Sequence, residues 1–275
     1  MMLSLTRVID QALQEDIHTG DITTQAVVPH KRPASARLIA KEPLVVAGLF
    51  AASAVFSRLD PELQFTPCCQ EGETVENGAI LATVQGDAAS ILMAERVALN
   101  LLQRLCGVAT LTSRFVATVQ GTKARIVDTR KTTPGLRELE KYAVRVGGGI
   151  NHRTGLYDGV LIKENHIAAA GGITEAIRRA RGYIPHTLKI EIETETPSQV
   201  DEALAAGADI IMLDNMDCPT MRQCVATIAG RALVEASGGV NLETVRAIAE
   251  TGVDIISIGA LTHSPRAMDI SLLLD

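Results

Sequence analysis

Eight basic residues fall between positions 123 and 153: Lys123, Arg125, Arg130, Lys131, Arg137, Lys141, Arg145 and Arg153. Three acids, Asp128, Glu138 and Glu140, stand against them. The chain as a whole carries a formal charge of −6, so this segment is +5 and the remainder −11. Crowded like charges repel, and they persist where an anion is bound or where they point into solvent. The three glycines Gly147, Gly148 and Gly149, followed by Asn151-His152-Arg153, favour the first reading. They suit a loop that closes backbone and cations around a small anion better than a solvated helix.

Further along, apolar runs recur, and each ends in a residue able to do chemistry or to admit a ligand. Asp128 ends ARIVD, Lys163 ends GVLIK and Glu193 ends LKIEIE. Asp214 ends DIIMLD, Ser237 ends ALVEAS and Gly259 ends DIISIG. If the runs are parallel strands of one barrel, their C-terminal ends share a face, and that face carries the site. The expected ring has three sectors. Arg130, Lys131, Arg153 and Lys163 form a cationic wall, and Glu193 and Asp214 form a carboxylate pair. Ser237-Gly238-Gly239 and Ile258-Gly259-Ala260 form a glycine-rich phosphate grip leading into helices. One or two carboxylates beside phosphates suit Mg²⁺ held jointly with substrate oxygens, and a carboxylate also stabilises a sugar cation. The sectors together indicate transfer chemistry on a sugar phosphate with an anionic co-substrate. His152 is read as a ligand contact, His166 as a group orienting Lys163, and His263 as lying just past the grip. No histidine pair has zinc-ligand spacing.

Elements must place these residues. Helical segments are expected at 136–146, 173–181, 197–206, 219–229 and 242–251, between the six runs. Thr196, Pro197 and Gln199 supply an N-cap, an N1 proline and a capping box. Gly182, Gly207, Gly230 and Gly252 are expected at helix C-caps. Six strands alternating with helices, with right-handed crossovers, curl into a (β/α) barrel. The first part of the chain differs. A helix is expected over 4–15, a turn over 16–24, short strands within 34–85, and one long helix or two joined near Gly107 over 89–119. The turn Glu71–Gly78 resembles that of biotinyl or lipoyl carriers, but no Lys lies between Gly72 and Gly86, so it is scaffold. The expected division is an α/β sandwich over 1–104, with 265–275 packed on it, and a barrel over 105–264.

Composition sets the outer bounds. Apolar residues are 47% and aromatic ones 3%, so the core must be aliphatic, as in helices packed on a parallel sheet. Net acidity with few aromatics argues against a nucleic-acid partner. The run from Leu44 to Phe56 is shorter than the roughly 20 residues needed to span a bilayer. The N-terminus carries charges where the apolar core of a secretory signal would sit. Five cysteines, an odd number, two of them adjacent, fit a reducing cytoplasm with free thiols.

The motifs Asp128-Thr-Arg-Lys-Thr-Thr-Pro-Gly-Leu-Arg137, Gly147-Gly-Gly-Ile-Asn-His-Arg153 and Leu161-Ile-Lys-Glu-Asn-His166 closely resemble the quinolinate phosphoribosyltransferase family. So do Ile211-Met-Leu-Asp-Asn215, Ile258-Gly-Ala-Leu-Thr-His263, the segment 15–24 and the helix 95–105. The resemblance spans nearly the whole chain. It implies a type II phosphoribosyltransferase: an N-terminal α/β sandwich plus an open, incomplete TIM-like barrel. The implied reaction joins quinolinate to phosphoribosyl pyrophosphate, giving nicotinate mononucleotide, pyrophosphate and CO₂ in NAD biosynthesis. By resemblance Arg130, His152, Arg153 and Lys163 meet the substrate carboxylates, and Lys131 lies near the phosphate or pyrophosphate. Glu193 and Asp214 face the ribose and Mg²⁺, with no organic cofactor. Ser237, Gly238, Gly239, Gly259 and Ala260 hold the 5′-phosphate, and Thr129, Ile258 and His263 complete the binding set. Lys131, Lys163, Glu193 and Asp214 are the expected catalytic groups. Arg104 is implied to enter the site of a neighbouring copy, making the protein a homodimer or an assembly of dimers.

Three rivals stay open from the residues alone. Related barrel proteins associated with molybdenum transport keep part of the pattern but depart around Lys-Glu-Asn-His, which is intact at 163–166. An isomerase or aldolase barrel predicts a Schiff-base Lys or an isolated acid–base pair. A non-catalytic barrel binding phosphates or dicarboxylates would hold quinolinate without releasing pyrophosphate.

Overall fold

The computed structural model describes residues 3–275. It divides into two compact units. The first runs through Ser113 and includes Thr132–Gly148 and Leu261–Asp275; the second comprises Arg114–Lys131 and Gly149–Ala260. The first unit opens with α1 (Leu3–Ile17) and α2 (Ile22–Val27), followed by β1 (Pro33–Ala40), β2 (Leu44–Val45) and α3 (Leu49–Leu59). Next come β3 (Gln64–Pro67), β4 (Thr74–Val75), β5 (Ile80–Asp87) and the long helix α4 (Ala88–Thr118).

Two expectations need correction here, and a third, one long helix or two near Gly107, resolves to one helix. The turn after α1 is shorter than 16–24, because Asp21 caps α2 by accepting from the Thr24 N–H at 3.0 Å. The stretch 34–85 is not all strand. Residues 49–59 form a helix because Gly48 turns the chain at φ +101° and Glu71 accepts from the N–H groups of Gly48 and Leu49. The scaffold turn thus caps a helix that lies between two of the expected strands. Gly107 does not break α4. A Cβ there would run into the backbone carbonyl of Arg266, so the glycine permits close packing of two backbones inside the first unit.

The second unit holds β6 (Arg125–Val127), and α5 (Arg137–Val146) belongs again to the first. Then β7 (Val160–Ile162), α6 (Glu164–Ala170), α7 (Ile173–Tyr183), β8 (Ile190–Thr194) and α8 (Pro197–Ala205) follow. The series ends with β9 (Ile210–Asp214), α9 (Cys218–Ile228), β10 (Leu233–Ser237), α10 (Val245–Ala249) and β11 (Ile255–Ser257). All six expected runs are strands, and they form one sheet in the order β6-β11-β10-β9-β8-β7 with every pair parallel. β6 and β7, which a closed barrel would join, are its two edges. The barrel is therefore open and incomplete. Ile150 bridges to Val127 on the free side of β6, which directs residues 150–153 alongside that edge. Buried aliphatic residues, Ile126, Ile192, Ile211, Val234 and Ile256 among them, fill the helix-covered side of this sheet, as the lack of aromatics requires.

Local punctuation follows the sequence. Thr196 Oγ1 accepts from the Gln199 N–H, and the Gln199 side chain accepts from the Thr196 N–H, which sets the start of α8. Gly207, Gly230 and Gly252 take positive φ just past helix ends, but Gly182 lies inside the last turn of α7. After α11 (Ala260–His263), β12 (Ile270–Leu274) completes a four-stranded antiparallel sheet in the first unit, ordered β12-β1-β5-β3. The expected division at 104 falls within α4. The segment 132–148, expected with the barrel, groups with the first unit through α5.

Candidate active site

Parallel register puts the strand ends side by side. Ser237 pairs with Asp214, Ser257 with Val127 and Glu193 with Met212. A cavity of about 400 Å³ opens at this end of the second unit. Thr129, Arg130, Lys131, His152, Arg153 and Lys163 line it, with Met212, Glu235, Ser237 and Ser257 at its inner side. Five of the eight cations counted between 123 and 153 belong elsewhere, Arg125 among them at the start of β6. Arg137, Lys141 and Arg145 lie on α5 in the first unit, and Lys123 pairs with Asp254 at 2.7 Å. The cation wall of the cavity is thus Arg130, Lys131, Arg153 and Lys163.

Asp128 is not a mouth residue. It is fully buried and accepts from Asn151 Nδ2 at 2.5 Å and from the His152 N–H at 2.9 Å. It thereby fixes the loop that delivers His152 and Arg153. Arg153 Nη1 donates to the Gly159 carbonyl at 3.0 Å, and Asp158 accepts from the N–H groups of Thr154 and Gly155 to close the turn beyond it. Burial pulls the Arg153 guanidinium below its ordinary pKa, and the nearby Arg130 adds to the shift. Two guanidiniums that disfavour each other's charge suit a ligand with two carboxylates.

Lys163 follows β7. Its backbone N–H donates to His166 Nδ1 at 3.0 Å, so His166 fixes the turn into α6 as expected, although α6 itself was not foreseen. Lys163 Nζ reaches Glu193 Oε2 at 2.6 Å. Asp214 accepts from Asn215 Nδ2 at 2.6 Å. Asn215 takes φ +52° and lies over Gly238, where a Cβ would collide with the Asn215 amide. Gly238 and Gly239 both have positive φ, at +97° and +60°, so the chain turns sharply after β10 with its backbone open. Ile258 donates its N–H to the Val127 carbonyl at 3.0 Å, which seats Gly259 and Ala260 beside β6.

Two expected site residues lie in the first unit. His263 is exposed at the end of α11, with Nδ1 2.6 Å from Ser264 Oγ. Arg104 donates to Glu140 Oε1 at 2.7 and 3.0 Å, to Thr133 Oγ1 and to the Pro265 and Thr262 carbonyls.

The barrel interior holds two acids that sequence reading missed, Glu191 on β8 and Glu235 on β10, both almost wholly buried. His152 Nε2 lies 2.9 Å from Glu191 Oε2 and 3.8 Å from Glu235 Oε1. The donor atoms of the three residues fall within 4.8 Å of one another, close enough for a metal ion. The histidine argues against one. Its Nδ1 accepts from the Arg153 N–H at 2.7 Å, which leaves the ring proton on Nε2 and no lone pair there to give a metal. Burial, then the Glu191 charge, push the Glu235 carboxyl up to about 7, against a smaller opposing effect of His152. The signal available in the sequence was alternation. Glu191 and Glu193 stand two apart in one strand and so face the same side, inward.

An open parallel barrel with cations, carboxylates and glycine turns at its strand ends defines an anion-handling α/β barrel of the phosphate-binding kind. Sequence profiles for the quinolinate phosphoribosyl transferase N-terminal and C-terminal domains match residues 21–106 and 108–273. The chain is 46% identical over 270 residues to a probable nicotinate-nucleotide pyrophosphorylase [carboxylating] of Bacillus subtilis, covering 98% of this chain and 93% of that one. The chloroplastic nicotinate-nucleotide pyrophosphorylase [carboxylating] of Arabidopsis thaliana is 44% identical over 290 residues, at 98% and 83% coverage. The solved nicotinate-nucleotide pyrophosphorylase of Francisella tularensis superposes with a TM-score of 0.95 at 40% identity, covering 99% of this chain and 96% of that one. This chain belongs to the quinolinate phosphoribosyltransferase family.

All five cysteines are free. Among the described residues no helix is long and apolar enough to cross a membrane.

Proposed function

We propose that the protein transfers the phosphoribosyl group of phosphoribosyl pyrophosphate to quinolinate and removes one carboxylate, yielding nicotinate mononucleotide, pyrophosphate and CO₂. The observation that carries this reading is the Arg130–Arg153 pair. These are two mutually repelling guanidiniums in one partly buried cavity, with Lys131 and Lys163 beside them. A dicarboxylate relieves that repulsion, whereas a monocarboxylate leaves one cation desolvated at a cost of about several kcal/mol.

Quinolinate binds through Arg130, Arg153 and Lys163, with His152 at its inner edge. Lys131 and Thr129 face the phosphates. Ser237, Gly238, Gly239, Ile258, Gly259 and Ala260 cradle the 5′-phosphate with backbone N–H groups. Glu193 and Asp214, at neighbouring strand ends, stabilise positive charge on the ribose as its bond to pyrophosphate breaks. Their oxygen donors also suit a magnesium ion shared with substrate oxygens, and the bound ion would neutralise charge on the leaving pyrophosphate. Lys163 holds Glu193 in place; with substrate bound, Lys163 would turn to the substrate carboxylate and Glu193 would be released to the ribose or the metal.

The family resemblance supports a homodimer or an assembly of dimers in which Arg104 completes a neighbouring copy's site, and it includes His263 in the binding set. The free thiols fit a cytoplasmic setting.

The test is direct. Purified protein with quinolinate, phosphoribosyl pyrophosphate and Mg²⁺ should form nicotinate mononucleotide, detected by mass. Nicotinate in place of quinolinate should give little, and chelation of Mg²⁺ should stop the reaction. Quinolinate binding without any nucleotide product would indicate a binding barrel and overturn the proposal.

A further inference from the structure

We infer that Glu235 supplies the proton that replaces the departing carboxylate, with Glu191 and His152 positioning it. This rests on the reaction proposed above. Glu235 lies in the middle of β10, with a cavity on each side. The site cavity, at the strand ends, is lined by His152 and Glu235. A second cavity of about 410 Å³ is lined by residues at the strand starts, including Lys189, Ile210 and Ile255, and by His152, Glu191 and Glu235. Glu235 and His152 are thus shared between the two. Glu235 Oε1 and Glu191 Oε1 are buried without a hydrogen-bond partner.

A charged carboxylate under a dicarboxylate site would repel the substrate. A protonated one would not, and it presents an O–H to the ligand. The groups facing Glu235 are Glu191 from β8, His152 from the loop along β6, Ser257 from β11 and Lys163 after β7. Arg130 and Arg153 line the same cavity, and β9 contributes the neutral Met212. Burial and Glu191 outweigh His152 and Lys163, which keeps the proton on Glu235 near neutral pH.

The step balances as follows. The bond from ring carbon C2 to its carboxylate breaks and CO₂ leaves. The electron pair stays on C2, beside the cationic ring nitrogen. In the same step the Glu235 O–H bond breaks and its proton forms the new C2–H bond, so that loss of CO₂ depends on the donor. Glu235 is left as a carboxylate, which the His152 Nε2–H, already between the two acids, stabilises. Solvent entering the second cavity returns the proton. One solvent proton is consumed per turnover.

Rapid-quench single turnovers that time pyrophosphate and CO₂ separately test this. In the wild type, the CO₂ step should slow as pH rises through the Glu235 titration, while pyrophosphate formation stays flat. Glu191→Gln removes the charge that raises Glu235, so the alkaline fall should move to lower pH. Glu235→Gln should still form pyrophosphate in the first turnover, with CO₂ about 100-fold slower. Should Glu235→Gln fail to fold, the wild-type and Glu191→Gln profiles carry the test. Equal slowing of both products in Glu235→Gln, or a CO₂ step without an alkaline fall in the wild type, or an unmoved fall in Glu191→Gln, would overturn the assignment. A wild type that forms neither product would instead overturn the proposed reaction and this inference with it.

Discussion

Arg104 holds Glu140 by two contacts to one oxygen: Nε and Nη2 lie 3.0 and 2.7 Å from Oε1, and the Glu140 side chain is sealed from water. Glu140 also accepts from the N–H and hydroxyl of Thr133. Arg104 therefore has work in its own subunit. Removing one partner of a buried pair leaves the other uncompensated, at a cost of about 3–5 kcal/mol. Arg104→Ala should unfold at clearly lower denaturant than the wild type. The shared-site proposal is then tested at a temperature where the variant stays folded, by mixing Arg104→Ala with Arg153→Ala. Exchange of subunits should raise activity above that of either variant alone; confirmed exchange without recovery would refute a shared site.

The cation wall gives a second prediction. Arg153→Ala deletes half of the guanidinium pair and leaves a substrate carboxylate unmatched in a partly dry cavity. The loss in kcat/KM for quinolinate should be about two to four decades. Thermal stability should change little, because the variant loses the hydrogen bond to the Gly159 carbonyl but also relieves the repulsion with Arg130. Steady-state kinetics beside a melting curve separate the two, and near-normal turnover would remove Arg153 from the site.

A third prediction concerns the strand-end carboxylates. Glu193→Gln and Asp214→Asn keep shape and remove charge. If these residues stabilise the ribosyl cation or its metal, kcat should fall far more than quinolinate affinity measured by titration. Equal loss in both would show that they only shape the cavity.

The barrel acids yield a pH dependence of stability. The Glu235 carboxyl is pushed up to about 7 in the folded protein, above its ordinary 4.5. The folded state therefore holds the proton where the unfolded chain has lost it. Stability from this group is full below the unfolded value and declines as pH rises to about 7, then levels off. Glu235→Gln cannot ionise and should lack this decline. Melting temperatures of both proteins at pH 5 and pH 8 should show the variant gaining on the wild type at the higher pH. Parallel shifts would contradict the raised titration.

Much of the barrel could be read from the chain because each strand repeats one pattern, an apolar run ending in a polar or small residue. The same pattern hid other parts. Leu49–Leu59 does not read as a helix until Gly48 and the distant Glu71 are seen to cap it. Asp128 ends a strand as Glu193 and Asp214 do, yet it turns inward to hold the 151–152 backbone, a role visible only in three dimensions. The charge count pointed to the right segment but pooled α5, in the first unit, with the cavity wall. Glu191 and Glu235 were overlooked because an acid inside an apolar run is ordinarily taken as facing solvent. In a barrel the inward side is a site.

Quinolinate labelled in its C2 carboxylate tests the central claim most directly. With phosphoribosyl pyrophosphate and Mg²⁺, the wild-type protein should release labelled CO₂ and pyrophosphate in a one-to-one ratio, and the nucleotide formed should carry no label. Pyrophosphate without labelled CO₂, or a nucleotide that retains the label, would contradict the account.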